Sequence, residues 1–303
     1  MTDLSIDLGF LKLKNPVIAA SGTFGYGMEL APHIDLNRLG GIVTKGLYFN
    51  PRPGNPPPRL VEASMGLINA IGLPGIGVKR FSEEILPQLR EYDTAVIVNV
   101  CGESEDEYLS VIDFLNQKQG ISAYELNISC PNVKKGGLCP ALDPEATFSV
   151  VSLVKKKSSL PVITKLSPNV TDIEEIALSA QKAGSDGISL VNTFLAMGVD
   201  VETRKPKLAN LFGGLSGPAI KPIALRMVFQ VASRVKIPII GLGGIFSGQD
   251  ALEFMVAGAK AIEVGTANLV DPEATLKIIQ ELEEYCQRKG IEKIEEIVGT
   301  LEC

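Results

Sequence analysis

The chain has 303 residues, 45% of them hydrophobic, enough to bury a large core in one domain, because closed barrels of this length are routinely undivided. Its 35 acidic and 29 basic residues give a net charge of -6 at pH 7 and contain no long basic run, which argues against nucleic acid as a partner. The N-terminal MTDLSIDLGF lacks the basic start and apolar core of a signal peptide, and no apolar stretch approaches the ~20 residues that span a bilayer, so a cytoplasmic location is expected.

Eight short runs rich in Val, Ile, Leu and Ala are nearly continuously apolar, the pattern of parallel strands buried on both faces. They begin near Pro16, Gly41, Thr94, Ala123, Pro161, Asp186, Pro238 and Lys260. Three of them, PVIAAS, PVITKL and PIIGLGG, open on a proline, which a strand tolerates at its first residue. Between the runs lie helix starts. Ser104 with Glu107 reads as a capping box ahead of a stripe of Tyr108, Val111, Ile112 and Leu115. Asp143-Pro144 sets a cap before a proline at the first helical position. Thr171 with Glu174 repeats the box ahead of Ile173, Ile176, Ala177 and Ala180, and Asp271-Pro272 repeats the Asp-Pro start.

Strand and helix alternating eight times predict an α/β fold, a (β/α)8 TIM barrel occupying residues 1–303 as a single domain, rather than an open doubly wound sheet. Three connections, 46–93, 129–143 and 193–218, are too long for plain turns. Each follows a strand, which places it on the catalytic face as a cover for a ligand.

The strands end in Ser21-Gly22, Lys45-Gly46, Asn99, Asn127, Lys165, Asn192-Thr193, Gly243-Gly244 and Gly265-Thr266. In a barrel these positions converge on one mouth, where polar groups read as a site. One such residue is as often a cap as a functional group; eight together are not explained by capping. Gly243-Gly244 and Gly265-Thr266 close strands seven and eight, where barrel enzymes bind phosphate on backbone N–H groups. The GLGG at 241–244 is not a dinucleotide fingerprint, because Phe246 occupies the third glycine position. Lys45 and Lys165 sit inside the apolar runs IVTKG and VITKL. An unpaired buried ammonium is costly, so each is expected to meet cofactor or substrate oxygens, or to keep its head at the wet mouth.

Five cysteines at irregular spacing, Cys101, Cys130, Cys139, Cys286 and Cys303, form neither a disulfide framework nor a zinc pattern, and His33 as the lone imidazole excludes a His-based metal site or a Ser-His-Asp triad. Acid–base work at neutral pH falls to Cys, Lys or a carboxylate. Cys130 precedes Pro131, which biases it towards an extended conformation just beyond strand four, and a thiol there can act as a general base or nucleophile if neighbouring cations lower its pKa. Cys101 and Cys286 read as inert buried thiols; Cys139 and Cys303 receive no role.

The run ELNISCPN at 125–132, with NPVIAASGTFGYG, VTKG, MGLINAIGLPG, VITKLSPN, LVNT, GLSGPAIKP, GLGGI and VGTAN, resembles the dihydroorotate dehydrogenases of pyrimidine biosynthesis over essentially the whole chain. SGTFGYG, the GG at 136–137 and the absence of a membrane-binding N-terminal extension resemble the class 1B catalytic subunit. The resemblance implies one FMN per chain, held by Ser21, Lys45, Gly46, Asn99, Asn127, Lys165, Val191, Gly217, Gly243, Gly244, Gly265 and Thr266. It implies that Lys45, Asn69, Ala70, Ile71, Gly72, Leu73, Asn127, Asn192 and Thr193 grip the substrate; amide side chains, both donor and acceptor, suit a cyclic imide bearing a carboxylate. In the implied mechanism Cys130 takes the C5 proton of dihydroorotate while the C6 hydride passes to flavin N5, and Lys165 stabilises charge at the N1 side of the ring.

The chain has neither a full G-x-G-x-x-G nor clustered cysteines for an iron–sulfur centre, so electrons must leave through another molecule. Similarity to class 1B implies an electron-transfer subunit carrying FAD and a [2Fe-2S] cluster that reduces NAD, in a heterotetramer of two catalytic and two electron-transfer subunits. The competing readings are a class 1A-like homodimer that uses fumarate, a phosphosugar isomerase or aldolase, and a catalytically silent scaffold.

Overall fold

The structure, a computed structural model, describes residues 2–128 and 140–302. Eight parallel strands close into a barrel: β1 Val17–Ala19, β2 Gly41–Val43, β3 Ala95–Val100, β4 Ala123–Asn127, β5 Val162–Lys165, β6 Gly187–Leu190, β7 Ile239–Leu242 and β8 Ala261–Val264, each paired with its neighbours in sequence and β8 with β1. Each begins at, or one residue after, the start expected from its apolar run. The runs are continuous because one face of each strand packs into the lumen and the other under the helices.

Helices Glu105–Leu115, Pro144–Lys157, Ile173–Lys182, Lys221–Ala232, Gly248–Val256 and Ala274–Lys289, with a helical stretch from Gly77 to Leu89, wrap the barrel. The eightfold alternation fails at the first crossover, where turns and a 3-10 turn at Leu36–Arg38 replace the helix. Gly22, Gly25 and Gly27 there have φ of +88°, +60° and +100°, a left-handed backbone that cannot propagate an α-helix.

The caps follow the sequence with three adjustments. Ser104 accepts from Glu107 N at 3.1 Å, but the Glu107 carboxylate takes the N–H of Glu103 rather than that of Ser104. Asp143 accepts from Ala146 N at 2.8 Å as expected. At the next helix Asp172, not Thr171, is the cap, because its carboxylate accepts from both Glu174 N (2.8 Å) and Glu175 N (3.3 Å), and an anion suits the positive end of the helix dipole. Asp271-Pro272 forms a turn, and the long last helix starts two residues later, at Ala274.

Two of the long connections hold structure of their own. Residues 46–93 contain the hairpin Leu60–Ala63 with Gly66–Asn69, and 193–218 contain Phe194–Ala196 and Gly213–Ser216. Gly213–Ser216 pairs antiparallel with Gly66–Asn69, joining both segments into one four-stranded sheet. The join needs small residues: a Cβ on Gly214 would sit 2.0 Å from Thr193 Oγ1, and one on Gly213 2.7 Å from the Asn69 carbonyl. At the opposite end an N-terminal hairpin, Ile6–Asp7 with Lys12–Leu13, brings Phe10 against Gly187 at the start of β6. No helix among the described residues is long and apolar enough to cross a membrane.

Asp172→Ala is expected to destabilise the protein by about 1 kcal/mol and Thr171→Ala by less than about 0.5 kcal/mol, measured by urea denaturation. Equal losses would return the cap to Thr171.

Candidate active site

Between the C-terminal ends of the strands and the four-stranded sheet lies a cavity of about 410 Å³. Its wall includes Ser21, Lys45, Asn69, Ile71, Leu73, Asn127, Lys165, Val191, Asn192, Thr193, Gly217, Gly243, Gly244, Gly265 and Thr266. Two larger hollows, of about 630 and 600 Å³, lie between the helices Gly248–Val256 and Ala274–Lys289 and at the N-terminal rim by Asp7 and Pro238, and no strand-end residue reaches either.

Four of the expected residues stand behind the wall. Asn99 is fully buried; its Nδ2 donates to Glu125 Oε1 at 2.5 Å and its Oδ1 accepts from Asn127 Nδ2 at 3.4 Å, so it orients Asn127 from below. Gly46 makes room for this pair, since a Cβ there would lie 2.7 Å from Cys101 Sγ and 3.1 Å from Asn99 Oδ1. The Ala70 carbonyl accepts from Asn55 Nδ2, and Gly72, at φ +75°, turns the chain against the same Asn55. Cys130, with Cys139 and Cys303, falls outside the described residues.

The strand register explains the convergence. Asn99 stands opposite Glu125, Asn127 opposite Lys165, and Ser189 opposite Lys165, so neighbouring strands bring polar side chains to adjacent levels of the lumen. Thr266 Oγ1 donates to Ser216 Oγ at 2.9 Å, tying the end of β8 to the covering sheet, and the Tyr108 hydroxyl donates to the Asn127 carbonyl at 2.6 Å.

Lys165 departs from expectation. Its Nζ lies 3.2 and 3.3 Å from the two oxygens of Glu125 and 3.0 Å from Glu263 Oε2, with all three side chains buried. The anions it needs are therefore the chain's own. Burial by itself lowers an ammonium's pKa, but the pull of Glu125 and then Glu263 outweighs it and the Lys165 pKa is raised. Lys165 is charged throughout the neutral range. Lys45 differs: among the described residues it has no ion-pair partner, and burial, reinforced by Arg59 and opposed by Glu29, pulls its pKa down. Among the described residues of the wall it is the cation available to a ligand's anion.

The sequence reading missed Glu125 and Glu263, although the signal was present. Each is a charged residue inside an apolar run, AYELN and AIEV, as Lys165 is in VITKL. The apolar roof residues Leu60 and Leu67 were missed for another reason, because they reach the cavity only through the sheet that joins two distant segments.

Residues 4–286 match the family model described as "Dihydroorotate dehydrogenase". The chain belongs to the dihydroorotate dehydrogenase family. Three relatives named "Dihydroorotate dehydrogenase B (NAD(+)), catalytic subunit" align nearly end to end. That of Desulforamulus reducens is 53% identical over 298 residues, covering 98% of each chain. That of Geotalea uraniireducens is 51% identical over 299 residues, covering 99% of this chain and 98% of the relative, and that of Thermoanaerobacter pseudethanolicus 50% over 299, covering 99% of each. A solved dihydroorotate dehydrogenase from Eimeria tenella, in complex with ferulenol, shares the fold with a TM-score of 0.82 at 21% identity, covering 98% of this chain and 88% of that one.

The family is one of FMN-dependent oxidoreductases. The cavity fits such a group at one diagnostic position. Gly244 (φ +78°) and Gly217 (φ +101°) are required by the chain itself, because a Cβ on either would lie 2.8 Å from neighbouring backbone. At Gly265 a Cβ would meet nothing nearer than 3.7 Å, and the backbone is not left-handed. The fold does not need a glycine there, and the bare backbone at the end of β8 leaves room for a ligand to lie directly on it.

Lys165→Met leaves two buried carboxyls without their cation, and the expected destabilisation is about 3–5 kcal/mol at pH 7. Denaturation at descending pH should show the deficit shrinking as Glu125, the carboxyl left ionised, protonates; a deficit independent of pH would place the lost stability in packing alone.

Proposed function

We propose that the chain, as one catalytic domain over residues 1–303, is the cytoplasmic catalytic subunit of an NAD+-type dihydroorotate dehydrogenase, oxidising (S)-dihydroorotate to orotate with bound FMN. The observation that carries this reading is identity of about half along nearly the full length to relatives bearing that name, joined to a strand-end cavity walled by Lys45, Asn127, Asn192 and Thr193. The word "subunit" in those names supports a separate electron-transfer partner, to which we assign the FAD, the [2Fe-2S] cluster and a two-plus-two heterotetramer. The same names disfavour the fumarate-using homodimer, and the family disfavours an isomerase, an aldolase or a silent scaffold.

FMN supplies the hydride acceptor when bound. In this reading Ser21, Gly217, Gly243, Gly244, Gly265 and Thr266 hold its phosphate end, while Lys45, Val191 and Lys165, with Gly46 and Asn99 behind, shape the ring end. Lys45 attracts the substrate carboxylate, and Asn69, Asn127, Asn192 and Thr193 offer donors and acceptors to the imide, with the turn 70–73 closing over it. Leu60 and Leu67 in the roof exclude water and strengthen these polar contacts. Cys130 removes the C5 proton.

The purified chain is expected to be yellow and to bleach when dihydroorotate is added without oxygen. Cys130→Ala should keep the colour and the substrate affinity but bleach at least roughly a hundredfold more slowly, the scale of general-base catalysis. A yellow protein indifferent to dihydroorotate would remove the substrate assignment. Gly265→Ala should leave the urea midpoint unchanged and weaken FMN binding roughly tenfold or more by equilibrium titration, about 1.4 kcal/mol; unaltered affinity would take the cofactor off β8.

A further inference from the structure

Lys165 lines the cavity, and directly beneath it lie two buried carboxyls, Glu125 and Glu263. Lys165 Nζ is within 3.3 Å of both oxygens of Glu125 and 3.0 Å from Glu263 Oε2, and the three side chains are 6%, 0% and 1% exposed. Fully ionised, the group would carry an uncompensated charge of minus one in a dry lumen, which is strongly disfavoured. The strands beside Glu263, β1 and β7, bring it no titratable side chain, and the groups facing it across the lumen are Glu125 and Lys165. Relief must come from a proton on one carboxyl.

Hydrogen bonding decides which. Glu125 accepts from Asn99 Nδ2 at 2.5 Å, from Ser189 Oγ at 2.8 Å and from Lys165 on both oxygens, an arrangement that favours the ionised form. Glu263 accepts only from Lys165 among the described residues. We propose that Glu263 is a proton-holding positioning residue: it keeps the cavity floor neutral, and it binds its proton more tightly when negative charge builds up on the cofactor above Lys165. Burial, then the charge of Glu125, push the Glu263 pKa up to about 8, while Glu125 is held below its usual value because the pull of Lys165 and the converging donors outweigh its burial. Lys165 thus meets the cofactor as a cation already balanced by Glu125. The charge that varies belongs to Glu263, and it acts through Lys165.

Where the cofactor enters, this inference rests on the functional reading above, so the experiment has a cofactor-free arm. Glu263→Gln preserves the shape and cannot ionise. A carboxyl whose folded pKa lies above its unfolded value contributes stability below the unfolded value and loses it as pH rises through the folded one. Wild-type protein without cofactor should therefore lose stability relative to Glu263→Gln between about pH 4.5 and 8, read from urea midpoints. Glu125→Gln should flatten the curve likewise, because Glu263 then ionises to pair with Lys165; it serves if Glu263→Gln does not fold. With FMN bound, the wild-type midpoint potential should fall more steeply above about pH 8 by about 30 mV per pH unit, the two-electron equivalent of the tenfold change per unit in proton occupancy, and the variant should lack that excess. Identical stability curves for wild type and both variants would overturn the proposal. A stability break without the excess slope would overturn only the coupling to the cofactor. Failure to bind FMN at all would overturn the functional reading and leave the stability curves to decide whether Glu263 holds the proton.

Discussion

Closing eight parallel strands into a ring makes every strand deliver its C-terminal residue to the same rim, and the lumen beneath must be filled by side chains because no water-filled channel is left. In this chain that constraint positions the other features of the site. Lys45, Asn127, Lys165, Asn192, Gly243 and Gly265 are far apart in sequence and meet only because their strands end together. The register of β3, β4, β5 and β6 then sets their depth: Asn99 and Glu125 lie one level below the mouth, and Asn127 stands above them.

The filling of the lumen is unusual for a buried core. Beside the site sits an ion group whose members come from β4, β5 and β8. Such groups rarely add net stability over apolar residues of the same size, since desolvation offsets most of the attraction. Their value lies in fixing one arrangement: the ammonium of Lys165 is held from two sides, and Asn99 and Ser189 hold Glu125. The cavity floor becomes a rigid surface of defined charge, the condition for electrostatic work on a bound group.

The roof is built differently. Two loop segments pair into an antiparallel sheet over the mouth, and the Asn69 side chain donates to the Gly214 carbonyl across 145 residues of sequence. Gly213 and Gly214 let the strands approach, and Thr266 ties the sheet to β8. Floor and roof thus enclose a volume with apolar sides above and balanced charge below.

The sequence by itself determined the eight strands, the polar rim and the family motifs, because each is written locally: a continuous apolar run, a polar residue at its end, an uninterrupted string such as ELNISCPN. It also named most of the wall of the cavity. Tertiary structure alone decided the missing first helix, where three left-handed glycines outweigh the alternation, and the choice of Asp172 over Thr171 as cap. It likewise decided that Lys165 is answered by Glu125 and Glu263, that Asn99 and Gly46 stand behind the wall, and that two loops form one sheet. These outcomes depend on which side chains meet across the lumen or between distant segments, and such meetings are set by barrel closure and register, quantities that no local pattern carries.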